Sequence, residues 1–548
     1  MKFSTIAIFA ALVVGATPVV AQAQAARAPF MWENATVYFL LTDRFNNGNP
    51  ANDHAYGRKA DAAPLRGFAG GDLAGVTAKI KAGYFKDLGV DVLWMTPPVE
   101  QIHAATDEGS GRSYGFHGYW AKDFTSVDAN LGSEDDMRAL VDAAHANGMR
   151  VLLDVVMNHT GPVTSIDSMW PIEWVRTAPQ CTYHDVVSTV DCVLVKNLPD
   201  IRTGSNEDVG LPWSLVGKWR GEGRYDKEVK ELDAFFARTH YPRAPRYYLI
   251  KWHADWVRKY GFDGFRADTV KHVEPGVWKE LKQEASAAYE EWKRANPTKK
   301  LGDDKFFMTA EVYNYSIMNG KRFDLGGGTV VNYFDNGFDS LINFSMKSDA
   351  AASYESLFAK YSAQLNGPLK GYSVLNYMSS HDDGQPFDAE RKRSFETATK
   401  LLLAPGAAQI YYGDETARKL TGDGAVGDAA LRSFMNWEAL AADPQVAKVR
   451  AHWSRLGLFR RAHPAIGAGV HQKLQEHPYV FRRSFDRNGV HDQVVVALDL
   501  LHLGVERAQG VDARGLLGVL CRLPGTRDDV GQGVAGGTGR VRLHRDLL

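Results

Sequence analysis

Residues 133–159 read Ser-Glu-Asp-Asp-Met-Arg-Ala-Leu-Val-Asp-Ala-Ala-His-Ala-Asn-Gly-Met-Arg-Val-Leu-Leu-Asp-Val-Val-Met-Asn-His. Ser133 has the character of a helix N-cap, with Asp136 three residues on in place of the usual Glu of a capping box. Asn147-Gly148 is a helix stop. Val151 to Val156 is then an apolar run without alternation, carrying Asp154 and followed by Asn158 and His159. A non-alternating apolar strand after a helix belongs to a parallel sheet covered on both faces.

The same rhythm extends in both directions. Val37 to Leu41 reads as a strand, Leu73 to Leu88 as a helix and Val90 to Met95 as the next strand. After an interruption from Asn158 to Pro245, which lacks a clean period, Tyr247 to Tyr260 reads as a helix. Strands follow at Phe262 to Ala267, Phe306 to Glu311, Val330 to Tyr333, Tyr372 to Met378 and Gln409 to Tyr412. About eight strands is the closure number of a (β/α)8 TIM barrel. A doubly wound open sheet is the alternative, but the Gly-rich phosphate turn it wants after the first strand is missing. The expected division is a signal peptide at 1–25, a barrel at 26–157 and 246–465, an inserted subdomain at 158–245 after the third strand, and a C-terminal β-domain at 466–548. Tyr479 to Phe481 and Val494 to Leu498 are its strand signals.

At the N-terminus, Lys2 precedes a short apolar stretch, Ile6 to Val14, broken by Gly15, Thr17 and Pro18. Ala21-Gln22-Ala23 and Ala23-Gln24-Ala25 both fit a small-x-small cleavage site. The stretch is short for a membrane span, which takes ~20 residues, so an exported protein, periplasmic or secreted, is expected. An uncleaved anchor is the alternative. In an oxidising compartment Cys181 and Cys192, eleven apart in a polar region, form a plausible disulfide, which leaves Cys521 over. A formal net charge of −1 argues against nucleic-acid or anionic-membrane partners, and a monomer is expected. Beyond about residue 499 the chain lacks aromatics, Ile, Asn and Lys and is rich in Gly, Arg, Val and Leu. That composition builds strands poorly, and a tail out of its natural reading frame would explain it.

Polar residues at the C-terminal strand ends of such a barrel converge on one mouth. Asp154, Asn158 and His159 follow the third strand. Arg266 and Asp268 end the fourth in Gly-Phe-Arg-Ala-Asp-Thr-Val-Lys-His, Glu311 ends the fifth, and His381 and Asp382 follow the seventh. One such group is commonly a cap or a surface ion pair; four clusters at equivalent strand ends point to a site. Glycosidic cleavage passes through an oxocarbenium-like transition state, which needs a carboxylate beneath the ring and a proton donor above it. In retaining enzymes the two lie ~5–5.5 Å apart. Arg266, two residues before Asp268, shares its face of the strand and sets a positive charge beside it. Crowding among carboxylates would keep Glu311 protonated.

These motifs resemble the α-amylase superfamily of glycoside hydrolases over roughly Val37 to Ala462, and most of all its periplasmic members in Gram-negative bacteria. The resemblance implies Asp268 as nucleophile, Glu311 as acid/base and Asp382 as the carboxylate that binds substrate hydroxyls and aids ring distortion. It places Arg266, His159 and His381 in the same subsite. In Phe116-His117-Gly118-Tyr119-Trp120 it makes Tyr119 the ring that stacks on the sugar, with His117 beside it. Lys271 and His272 would lie toward the leaving group. It further implies a Ca²⁺ ion tying the inserted segment to the third strand. Its ligands would be Asn158, a backbone carbonyl of His272, and Asp200 in Asn-Leu-Pro-Asp-Ile; Asp200 after proline also reads simply as a turn residue.

Ser380 stands before His381 where many members carry Asn, so chloride activation is not expected. Asp383 beside Asp382 is a competing candidate, set aside because it does not directly follow the His. The implied substrate is α-1,4-linked glucan, starch and maltodextrins. Rival readings are an α-glucosidase or glucanotransferase on the same scaffold, against which the Leu-Pro-Asp motif with Lys271-His272 favours an amylase, and a non-catalytic glucan-binding relative, against which all three carboxylates stand.

Overall fold

A computed structural model describes residues 29–107 and 109–498 and the backbone of one further strand, 516–521. The leader sequence, the Cys521 side chain and most of the anomalous tail lie outside the described residues.

Eight parallel strands close into a barrel: β1 (Thr36–Leu40), β2 (Val92–Met95), β3 (Arg150–Val155), β4 (Gly264–Ala267), β5 (Phe307–Ala310), β6 (Ser340–Asn343), β7 (Ser373–Tyr377) and β8 (Ala407–Tyr411). Each pairs with its neighbours in sequence order and β8 returns to β1. All eight are buried along their length, as their unalternating composition requires. The helix before β3, Glu134–Ala146, starts in a full capping box: Ser133 accepts the Asp136 N–H while Asp136 accepts the Ser133 N–H. Pro245–Tyr260, the helix before β4, has Pro at its first position and stops at Gly261 (φ 84°). A Cβ there would lie 2.1 Å from the Trp292 ring, so only glycine lets the two helices approach this closely.

Three expectations are corrected. The sixth strand is Ser340–Asn343, and Val330–Val331 is instead one arm of a small hairpin with Phe323–Asp324. The true strand was hidden because its ends are polar; Asn343 is buried but satisfied, donating to Asn376 Oδ1 (2.9 Å) and Tyr361 OH (3.0 Å). The helix read as Leu73 to Leu88 is two, Leu73–Lys81 and Tyr84–Asp87, broken at Gly83 (φ 82°). The stretch between β3 and Pro245, read as aperiodic, holds a one-turn helix, Val187–Val190, and two longer ones, Trp213–Gly221 and Tyr225–Thr239. The last buries Leu232, Phe235 and Phe236 at helical spacing.

Most of the tryptophans are core. Trp174 and Trp252 lie parallel at 6.1 Å, with Trp170 and Trp219 edge-on, so aromatic packing joins the segment after β3 to the barrel helix carrying Trp252. Cys181 and Cys192 are disulfide-bonded. Past the barrel, Val470–Gln475, Tyr479–Arg487, Val490–Leu498 and Leu516–Cys521 form an antiparallel sheet. Phe481 in this sheet meets Phe358 of a barrel helix, ring centroids 5.5 Å apart.

Candidate active site

Arg266 is the hub of the barrel mouth. Its buried guanidinium pairs with Asp154 (3.0 Å), Asp268 (2.8 Å) and Glu311 (3.0 Å). The sheet ladder continues past the strand ends: the Asp268 N–H donates to Val155 O (3.0 Å) and the Glu311 N–H to Ala267 O (2.9 Å). Asp268 and Glu311 therefore stand on adjacent strands at the two terminal nitrogens of one guanidinium. Thr269 adopts left-handed backbone (φ 46°), an uncommon state for a β-branched residue. This aims its N–H at Glu311 Oε2 (2.9 Å). Burial raises the Glu311 carboxyl well above the usual glutamate range against the pull of Arg266, and Asp268 and Asp382 add to the rise.

Asp154, inside β3, accepts from Tyr119 OH (2.9 Å) and Trp94 Nε1 (3.0 Å). Burial pushes its carboxyl up to about 7 despite Arg266. Tyr119 follows Gly118 (φ 93°), where a Cβ would sit 2.5 Å from Pro97 O; the tight turn that presents the Tyr119 ring depends on that glycine. The ring lies 5.3 Å from His381, nearly parallel to it, and Phe39 meets His381 edge-on. His117 Nδ1 accepts the Tyr119 N–H (3.1 Å), and His159 Nε2 faces Tyr119 O (3.1 Å). Burial lowers the pKa of all three histidines, His381 to about 4. The mouth is thus lined by neutral imidazoles, each able to donate and accept, which suits hydroxyl groups.

Asp382 is 41% exposed at the open rim, 3.6 Å from His381 Nδ1 and 3.1 Å from the Ser380 hydroxyl. Desolvation works the other way, yet His381, Arg266 and Arg432 hold its carboxyl below the usual range. Asp383 is engaged elsewhere, ion-paired with Lys347 and accepting from Tyr377 OH (2.6 Å). Of the two aspartates, Asp382 is the one that lies beside His381 at the mouth.

Lys271 sits between the rings of Tyr183 and Tyr313, its ammonium 5.1 Å from each. The His272 ring stands edge-on to Tyr183. It is buried, lies against the disulfide sulfurs and hydrogen-bonds Thr189 O (2.8 Å). The His272 carbonyl faces a different cluster. One atom of the Asn158 side-chain amide lies 3.0 Å from this carbonyl oxygen and 3.1 Å from Asp200 Oδ1. If that atom is nitrogen, it donates to both; if oxygen, three hard oxygens converge, a donor set for a divalent cation. Burial pushes the Asp200 carboxyl up to about 9 although Arg176 pairs with it (2.9 Å).

Several contributors were not legible in the sequence. Trp94 acts through its contact with Asp154 across strands β2 and β3. Arg432, which donates to His381 O (2.8 Å), comes from beyond β8, and Tyr183 and Tyr313 come from loops without a motif.

With this geometry in place, comparisons with known proteins decide the family. The model of the α-amylase catalytic domain matches residues 39–455. The chain belongs to the α-amylase family. It is 38% identical to the periplasmic α-amylase of Escherichia coli (strain K12), over 82% of this chain and 70% of that protein. It is also 28% identical to an α-amylase of Streptomyces lividans, over 74% and 47%. A cyclomaltodextrin glucanotransferase of Geobacillus stearothermophilus is 26% identical, over 84% and 59%. Among solved structures, the α-amylase of Geobacillus thermoleovorans complexed with acarbose shares the fold, with a TM-score of 0.58 at 22% identity over 86% of this chain and 87% of that one.

Proposed function

We propose that this family member is an exported, periplasmic or secreted, retaining α-amylase that cleaves α-1,4-glucosidic bonds of starch and maltodextrins. The observation that carries the reading is the pairing of Asp268 and Glu311 with one guanidinium, Arg266. Asp268 attacks the anomeric carbon while Glu311, kept protonated by burial, delivers its proton to the departing oxygen. The glycosyl–Asp268 ester is then opened by water that Glu311, now a carboxylate, deprotonates. Asp382 engages hydroxyls of the distorted ring, with Tyr119, His117, His159 and His381 around it. Asp154 is a positioning residue, holding Arg266 and the Tyr119 hydroxyl. Lys271, between two tyrosines, lies toward the leaving group. His272 contributes through its backbone.

Asn158, Asp200 and the His272 carbonyl would hold Ca²⁺, which supplies a structural tie between β3, the disulfide-bonded loop and the turn after β4. The Leu198-Pro199-Asp200 motif supports an amylase over a glucosidase, and an N-terminal leader and a disulfide suit export.

Hydrolysis of soluble starch, with the anomeric configuration of first products followed by NMR, tests the reading. First-formed α-anomers are expected, and Asp268→Asn should lose several orders of magnitude in kcat. β-Anomers, or substantial activity in the variant, would defeat the assignment. Predominantly cyclic or transferred products would make the chain a glucanotransferase.

A further inference from the structure

A cavity of about 430 Å³ is lined by Ala121-Lys122 and by Thr160-Gly161-Pro162. These residues closely follow Tyr119 and directly follow His159. Helix Trp213–Gly221 closes its other side. Its volume falls within the ~300–1,000 Å³ of small-molecule sites. Ile102 and Trp170 form apolar wall, and the rim carries two large apolar side chains left in water, Trp213 (65% exposed) and Ile166 (62%). Exposed apolar groups gathered at one concavity mark a binding surface rather than stray surface residues.

The polar lining narrows the ligand class. Lys122 pairs with Asp167 (2.7 Å), and His103 with Glu100 (2.9 Å). Lys218 pairs with Glu100 (2.8 Å), Glu222 (2.7 Å) and, behind the wall, Asp123 (2.9 Å). Every charged side chain lining the cavity thus has an opposite partner. An ionic ligand would have to break such a pair and leave a partly desolvated charge alone. A neutral ligand with apolar C–H faces and many hydroxyls meets no such penalty. Its faces can lie on Trp213, and its hydroxyls can share the paired charges and the Ser168 and Ser214 hydroxyls.

We infer that this cavity is a second α-glucan-binding site, distinct from the site of cleavage; this rests on the reading of the chain as an α-glucan hydrolase. The Gly161 N–H donates to Ala121 O (2.8 Å), so the two segments that form the cavity floor are tied together a few residues from Tyr119 and His159. A long glucan anchored here is held beside the barrel mouth, whereas a short one gains nothing.

Two variants separate this from a folding effect. Trp213→Ala removes the exposed ring. Gly217→Leu fills the cavity from a helical position where an added Cβ meets no atom within 4 Å and where leaving glycine favours the helix. Binding to granular starch, by depletion, is expected to fall at least ~10-fold in both, with kcat/KM on maltotetraose within about twofold of the parent. The inference is overturned if the parent does not bind granular starch or if both variants bind like the parent. Equal loss of maltotetraose hydrolysis and starch binding also overturns it, since the cavity would then not be separate from the catalytic site. A parent that hydrolyses starch while the variants bind unchanged sinks only the second site; a parent with no activity on starch sinks the proposed function itself.

Discussion

The barrel mouth and the oxygen cluster behind it are built from neighbouring strand ends, yet they are held in different ways. In the mouth, Asp154, Arg266 and Glu311 sit on or just past adjacent strands, and the backbone ladder sets their spacing; Asp268 follows Arg266 by two residues. Three carboxyl groups share one guanidinium. In the cluster, Asn158 and Asp200 lie on two connections tied by an isolated antiparallel bridge between His159 and Asp200, His272 comes from a third, and Arg176 pairs with Asp200 (2.9 Å). The lesson is that a site drawn from neighbouring strands is pre-organised by the fold. One drawn from connections has less of its spacing set by the barrel itself.

The largest expected effect tests the pre-organised region. Glu311→Gln removes the proton donor, and kcat should fall by ~10²–10⁴-fold with the thermal midpoint nearly unchanged. The pH profile gives a finer probe. Glu311 acts protonated, so activity is lost as pH rises through its elevated pKa. Asp382 is one of the negative neighbours that raise it. In Asp382→Asn the pKa should drop, and the alkaline limb of the residual kcat/KM should move to lower pH. An unchanged or upward-moving limb would break the electrostatic account.

The loop-built region should respond to metal instead. At about 100 Kd, Ca²⁺ should add ~2.7 kcal/mol of stability, read as a chelator-reversible rise in Tm. Asp200→Asn should abolish that rise, and a midpoint indifferent to chelation would dissolve the contrast. Tyr119→Phe keeps the ring but removes the donor to Asp154. A hydrogen bond to a charged group contributes ~1.5–3 kcal/mol, so a fall of roughly tenfold or more in kcat/KM is expected. No effect would show that Asp154 needs no anchoring by Tyr119. The smallest change belongs to Asp383→Asn. Its carboxylate is held by Lys347 and Tyr377 away from the mouth, so kcat should stay within a few fold. A loss as large as that of Asp382→Asn would reverse the choice between the two.

The fully buried strands of mostly apolar composition, such as Val92–Met95 and Arg150–Val155, could be read from composition, because burial on both faces leaves no room for alternation. The sixth strand could not, since Ser340 and Asn343 are polar and depend on partners such as Asn376 and Tyr361 elsewhere in the chain. Nor could the break at Gly83, which interrupts an otherwise continuous helical pattern.

What the chain determines by itself is the repeating strand–helix pattern and the kind of residue at each strand end, because backbone propensity and hydrophobic period are local properties. That Arg266 links three carboxylates, that Asp383 is diverted to Lys347, that the His272 ring lies under a disulfide while its carbonyl joins an oxygen cluster, and that Trp213 borders a charge-compensated cavity were decided only by the tertiary structure. Each depends on distances between segments far apart in sequence. Closure of the barrel sets those distances, and no local pattern encodes them.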